Sequence, residues 1–252
     1  MLQPPSSGIA VIDDVLDEAV GRSRREDPVL ARTGGPAGNA VLTAWVGLIL
    51  LVLVVAELIT LLNVTGLISW HVGIGIVLVG LALLKTATTS WRILRYYTGT
   101  PTYVTAGPPP TLLRLLGPLV IVSTLGVLGS GIVLVAVGPE RSRSPFLSVL
   151  GQEANLVTVH QGIFILFAVF AGVHLLARFV PALALAGGPR VSSRLGHTGG
   201  SGSGSTPGAV ARWAVLGLVL VASVLAAVLV IPAAQGWNDP WAGHGWEQSS
   251  DG

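Results

Sequence analysis

HQGIFILFAVFAGVH, residues 160–174, places a histidine at each end of a run with no other ionisable group. A stretch this apolar belongs in a membrane, where an ionisable side chain is costly and is a functional hypothesis by default. Fourteen residues of helix advance about 21 Å and complete nearly four turns. His160 and His174 therefore share one face of a membrane helix, one in each leaflet.

The rest of the chain agrees with that placement. It has 252 residues, 51% hydrophobic and 10% charged, with a mean hydropathy of +0.74. Soluble domains carry about a quarter charged residues, so the composition is that of a membrane protein. A bilayer core about 30 Å thick needs roughly 20 apolar residues in a helix. Five segments qualify, at about 40–62, 70–90, 112–137, 157–180 and 210–232. The expected fold is all-α and polytopic, with five transmembrane helices.

Charge sets the orientation. Arg22, Arg24, Arg25 and Arg32 precede the first span, and Lys85, Arg92, Arg95 and Arg114 flank the connection from the second to the third. Arg178, Arg190, Arg194 and Arg212 flank the connection from the fourth to the fifth, leaving only Arg141 and Arg143 for the other side. This positive-inside asymmetry puts the N-terminus in the cytoplasm and the C-terminus outside. The net charge of +2 belongs to these flanks and does not suggest nucleic acid as a partner; membrane lipid is the expected one. The first 38 residues are polar and charged, unlike a cleaved signal peptide, so the first span reads as a signal-anchor.

The remaining segments divide as follows. Residues 1–38 form a cytoplasmic tail, in which IAVIDDVLDEAV (9–20) is open between a short amphipathic helix and a disordered stretch. Residues 39–182 form a four-helix bundle, and 183–208 a linker ending in GHTGGSGSGSTPG. Residues 209–232 are the fifth span. The external tail, 233–252, carries three tryptophans suited to an interface, and His244.

The chain has no cysteine and a single methionine, Met1. Disulfides, thiolate metal sites, iron–sulfur clusters and covalent c-type haem are thereby excluded, and thioether haem ligation is disfavoured. Within the spans the ionisable groups are Glu57, His71, Lys85, His160 and His174. His71 and Lys85 are also fourteen residues apart, on a span parallel to that of His160 and His174. The outer pair, His71 with His160, meets at one depth, and the inner pair, Lys85 with His174, at another. Nitrogen pairs stacked about 21 Å apart are what two b-type haems require.

Each residue also has a plainer reading. His71 and His160 sit near the outer interface, where histidine is tolerated without a ligand. Arg178, one turn after His174, either pairs with a haem propionate or anchors the inner end of its helix. Lys85 either ligates as a neutral amine or snorkels its ammonium to the inner face. Glu57 has several open roles: a hydrogen bond to a histidine, a proton relay or a quinol contact. Gly73, Gly75 and Gly80 in the second span, Gly117, Gly126, Gly129 and Gly131 in the third, and Gly162 and Gly172 in the fourth leave room for a macrocycle. They serve equally for ordinary helix packing.

WHVGIGIVLVGLALLK (70–85) and HQGIFILFAVFAGVH (160–174) together resemble the second and fourth helices of the membrane cytochrome b family. KTATTSWRILRYYTG (85–99) and GPPPTLLRLLGP (107–118) are similar to cytochrome b561-like proteins of high-GC Gram-positive bacteria. The resemblance covers about residues 40–180 and implies a four-helix haem b bundle with one extra C-terminal helix in a bacterial plasma membrane. It carries ligand roles onto His71, His160 and His174, and it departs at Lys85, where a fourth histidine is expected. One haem follows, or two if the inner site is built unusually. A quinone and a redox partner protein, sometimes a molybdenum-dependent oxidoreductase, are further implications.

The function expected is electron transfer between a quinone pool and that partner, as a subunit and not a complete enzyme. No GxxxxGK[ST] loop or Rossmann turn is present to bind a nucleotide. A proton- or metal-conducting transporter is one alternative, weakened by the lack of an inverted repeat and by histidines at different depths. A non-catalytic membrane scaffold is the other.

Overall fold

The computed structural model describes residues 27–107, 111–149, 151–194 and 206–238. The expectations for residues 9–20, for Arg22, Arg24 and Arg25, for the glycine-rich part of the linker and for His244 lie outside these. Four stretches are long and apolar enough to cross a bilayer: Gly35–Tyr97, Arg114–Val137, Leu156–Gly187 and Ala209–Asn238. The protein is accordingly a mostly helical membrane protein.

The first of these stretches, 63 residues long, holds two helices. α1 (Gly35–Thr60) and α2 (Val64–Tyr97) are joined by a 3₁₀ turn at Leu61–Asn63. Their contacts are antiparallel about residue 64. Glu57, seven residues before it, meets His71, seven after. Thr43, twenty-one before, meets Lys85, twenty-one after. α2 bends at Leu67, whose φ of −117° and ψ of 16° break the helical run one turn ahead of His71.

A short helix, α3 (Pro101–Thr105), precedes α4 (Thr111–Val137). α4 ends at Gly138, where φ of +85° needs a residue without a Cβ. Pro139 then starts α5 (Pro139–Arg143) at the position where its missing N–H costs nothing. Strands β1 (Leu147–Val149) and β2 (Gln152–Ala154) pair antiparallel, with Leu147 opposite Ala154. They were not expected from the sequence. α6 (Leu156–Arg194) and α7 (Ala209–Ala234) complete the chain. α6 runs twelve residues past the expected end of the bundle at 182, so residues 183–194, assigned to the linker, are helical. ALALA at 182–186 favours the first part of the extension, because alanine and leucine are strong helix formers; Gly187, Gly188 and Pro189 beyond it have no such preference.

The chain forms two compact units. The first comprises Met1–Leu50, Leu83–Val122 and Val169–Leu218, and the second Leu51–Ala82, Ser123–Ala168 and Val219–Gly252. The division falls once within each of the five long helices, so successive connections belong to alternate units. Of the described lysines and arginines, nine fall in the first unit; Arg141 and Arg143 fall in the second.

In the first unit α1 is tied to α2 by Asn39 Nδ2, which donates to the Thr88 carbonyl at 3.0 Å, and by Lys85. Just ahead of α1, Asp27 takes both nitrogens of Arg92, at 2.5 and 3.0 Å. Leu116 of α4 and Ala177 of α6 are buried together, flanked by Val120 and Phe170. Trp45 of α1 meets Trp213 of α7 edge to face, ring centres 5.3 Å apart.

In the second unit small residues set the helix contacts. A Cβ on Gly80 would fall on Ser223 Oγ of α7, and one on Gly73 would lie 3.6 Å from Ile231. These two glycines, seven residues apart on α2, form a packing stripe for α7 and do not serve as clearance for a ring. Gly75 faces Glu57, and Gly126 of α4 faces Ile163 of α6. A Cβ at Gly129 or Gly162 would meet nothing within 4 Å.

Candidate functional site

The second unit gathers His71, His160 and Glu57 from α2, α6 and α1, and adds two hydroxyl residues. The imidazoles of His71 and His160 have their centres 6.5 Å apart and their planes at 88°. Each is half-buried, and each has its Nδ1 engaged.

His71 Nδ1 lies 3.0 Å from Thr60 Oγ1 and 3.0 Å from Glu57 Oε1. The Thr60 hydroxyl has one hydrogen, and it donates this to the Glu57 carbonyl at 2.6 Å. With its hydrogen given there, the oxygen accepts toward His71, an arrangement that favours the ring proton on Nδ1. His160 has the same arrangement. Ser130 Oγ donates to the Val127 carbonyl at 3.0 Å and lies 2.8 Å from His160 Nδ1, from which it accepts. In both rings the remaining nitrogen, Nε2, keeps its lone pair. Donation of the far N–H to a fixed acceptor is how proteins orient a metal-binding histidine and choose its tautomer.

Two such imidazoles suit a haem. A metal bonded at about 2 Å to a nitrogen of each ring puts the ring centres roughly 6 Å apart, close to the spacing here. Among the described residues no group of three or more His, Cys, Asp or Glu gathers to hold a bare metal ion. A haem requires only two axial donors from the protein, since the porphyrin supplies the other four. Gly131 lies against His160, where an added Cβ would stand 3.4 Å from Cε1. A side chain there would crowd the ring.

The first unit holds the other pair. His174 of α6 lies in the electrostatic range of both Lys85 and Arg178. Its Nδ1 is buried without a hydrogen-bond partner among the described residues. Lys85 is committed elsewhere: Nζ donates to the Thr43 carbonyl at 2.9 Å. It passes so close to α1 that a Cβ on Gly47 would sit 2.6 Å from Nζ. The two pairs therefore differ in kind. The pair in the second unit has two oriented imidazoles, while that in the first unit has an unoriented imidazole and an ammonium used as a clip between helices.

His71, His160, His174, Lys85, Arg178 and Glu57 are candidates from the sequence alone, whereas Thr60, Ser130, Thr43 and Gly47 enter only with the structure. An ionisable group inside an apolar span stands out in the sequence, and a hydroxyl does not. Hydroxyls in apolar helices were passed over because they satisfy themselves on the carbonyl three or four residues back. Thr60 and Ser130 do this, and the oxygen lone pair left over is what receives the imidazole N–H.

Compared with known family models, with curated proteins and with solved structures, the chain gives no match in any of the three.

Proposed function

We propose that the protein is a membrane-embedded haem b electron-transfer protein, in which His71 and His160 are the axial ligands of one haem. The observation that carries this is the pair of imidazoles 6.5 Å apart, each with Nδ1 hydrogen-bonded to a hydroxyl that has already given its own hydrogen away. When bound, the haem supplies reversible one-electron chemistry at its iron. The chain's residues do the rest. Thr60 and Ser130 fix ring orientation and tautomer, Glu57 adds a carboxylate acceptor behind His71, and the apolar helices exclude water.

A single haem fits better than two, because the inner pair offers one imidazole and a lysine held on Thr43. Five passes, with the N-terminus in the cytoplasm of a bacterial cell, are supported by the alternation of connections between units and by the clustering of basic residues in one of them. A quinone pool and a separate redox partner protein, on the resemblance to b561-like subunits, complete the role.

The test is the visible spectrum of purified, dithionite-reduced protein after haem-replete expression. A six-coordinate haem b gives a sharp band near about 560 nm, with one haem per chain. Colourless protein overturns the proposal, and so does a spectrum unchanged in both His71→Ala and His160→Ala. A proton-conducting role is a second reading, favoured by Glu57 Oε2, which is buried without a hydrogen-bond partner among the described residues. Proton flux in liposomes that vanishes in Glu57→Gln, in protein that binds no haem, would select it.

A further inference from the structure

We propose a separate lipid site in the first unit, where α1, the end of α6 and the start of α7 enclose a cavity of ≈ 180 Å³. Its ligand is an anionic phospholipid, held by its phosphate on Arg212. The cavity is smaller than the roughly 300–1,000 Å³ of sites that enclose a whole small molecule. It suits the head of an amphiphile whose tails remain outside.

The polar wall is Arg212. Of its five N–H donors, three are used: Nη1 donates to the carbonyls of Thr33 at 3.2 Å and Pro207 at 2.7 Å, and Nη2 to that of Thr206 at 2.8 Å. Two donors remain, and no carboxylate among the described residues neutralises the charge. The close approach of the helix starts is built around this side chain. A Cβ on Gly38 would lie 2.6 Å from Nη1, so the guanidinium is held in place before any ligand arrives. A fixed guanidinium with spare donors and uncompensated charge calls for an oxyanion, and phosphate is the one it recognises best.

The other walls are apolar: Val41, Leu42, Ala186 and the edge-to-face tryptophans Trp45 and Trp213. Trp213 is 49% exposed and Val210 beside it 84%, so an acyl chain leaving the cavity has a greasy surface to follow. Arginine and tryptophan at a helix start are interfacial chemistry, and basic pockets on the cytoplasmic side take anionic headgroups. A soluble anion would gain nothing from these walls. An amphiphile uses both halves.

The experiment is native mass spectrometry of the full chain released from nanodiscs of equimolar phosphatidylglycerol and phosphatidylcholine. Wild type should retain one phosphatidylglycerol, preferred about tenfold over phosphatidylcholine, as a charge-assisted phosphate contact implies. Arg212→Gln should abolish the preference. Because Arg212 also pins three carbonyls, Ala186→Leu is the second variant: it fills the cavity, leaves the guanidinium intact and should lose the lipid equally. Equal retention of the two lipids in wild type overturns the proposal, as does undiminished preference in Ala186→Leu. Inorganic phosphate that displaces the lipid at millimolar concentration would reassign the site to a soluble anion. Preference that emerges only after removal of residues 1–26 would reassign it to the chain's own acidic segment.

Discussion

Replacing Ser130 with alanine tests the candidate site at the place where the structure makes a quantitative demand. Among the described residues Ser130 is the one partner of His160 Nδ1, at 2.8 Å. Alanine leaves a half-buried N–H without an acceptor and frees the ring to rotate or change tautomer. An unmet donor of this kind costs about 1–3 kcal/mol, or about 5- to 150-fold in affinity for whatever Nε2 binds. Loss of an orienting partner behind a metal ligand costs about 10- to 100-fold in general. Thr60→Val is the matched control on the other ring. His71 Nδ1 keeps Glu57 Oε1 at 3.0 Å, so the loss should stay near that of one ordinary hydrogen bond, about 1 kcal/mol or fivefold. The assay is titration of each apoprotein in detergent with haemin, followed in the Soret band. Ser130→Ala should weaken binding at least tenfold and more than Thr60→Val does. Equal affinity in Ser130→Ala and wild type, or the reverse order of the two variants, refutes the tautomer argument.

Three other outcomes follow from particular contacts. Lys85→Met should leave haem content at one per chain and cost about 1 kcal/mol of stability through the lost bond to Thr43; a halved haem content in pyridine haemochrome assays would return Lys85 to the ligand set. Gly80→Ala should lower the Tm by the equivalent of about 1–3 kcal/mol, because its Cβ lands on Ser223 Oγ, and Ser223→Ala in the same chain should recover most of that loss. The chain's lack of cysteine makes topology directly readable. Ser144→Cys should react with an impermeant maleimide in intact cells and Thr98→Cys only after lysis; the opposite pattern would invert the orientation.

Much of the fold was legible because lipid is an unforgiving solvent. Each span had to be long and apolar, and each ionisable group inside one had to have a reason. That logic located α1, α2, α4, α6 and α7 and brought His71 together with His160. It was silent on direction. Nothing in KTATTSW says that Lys85 reaches sideways to the Thr43 carbonyl of α1. The glycines were ambiguous for the same reason: Gly73 and Gly80 look like Gly129 and Gly162 in sequence, yet the first two are filled by α7 and the others face open space. Interfacial pieces such as β1–β2 and the extension of α6 to Arg194 lie outside the apolar rule and left no comparable mark.

The hairpin of α1 and α2 has a bearing on how the protein is made. Glu57, Thr60 and His71 lie within fifteen consecutive residues, and their mutual hydrogen bonds need nothing beyond the turn at Leu61–Asn63. Half of the site can therefore form as soon as the first pair of helices has left the ribosome. The other half, His160, is synthesised eighty-nine residues later. In the interval the nascent chain carries one oriented imidazole that cannot complete an axial pair. If the proposed haem site holds, cofactor capture would be a late checkpoint, reporting that α6 has been threaded and docked in the right register.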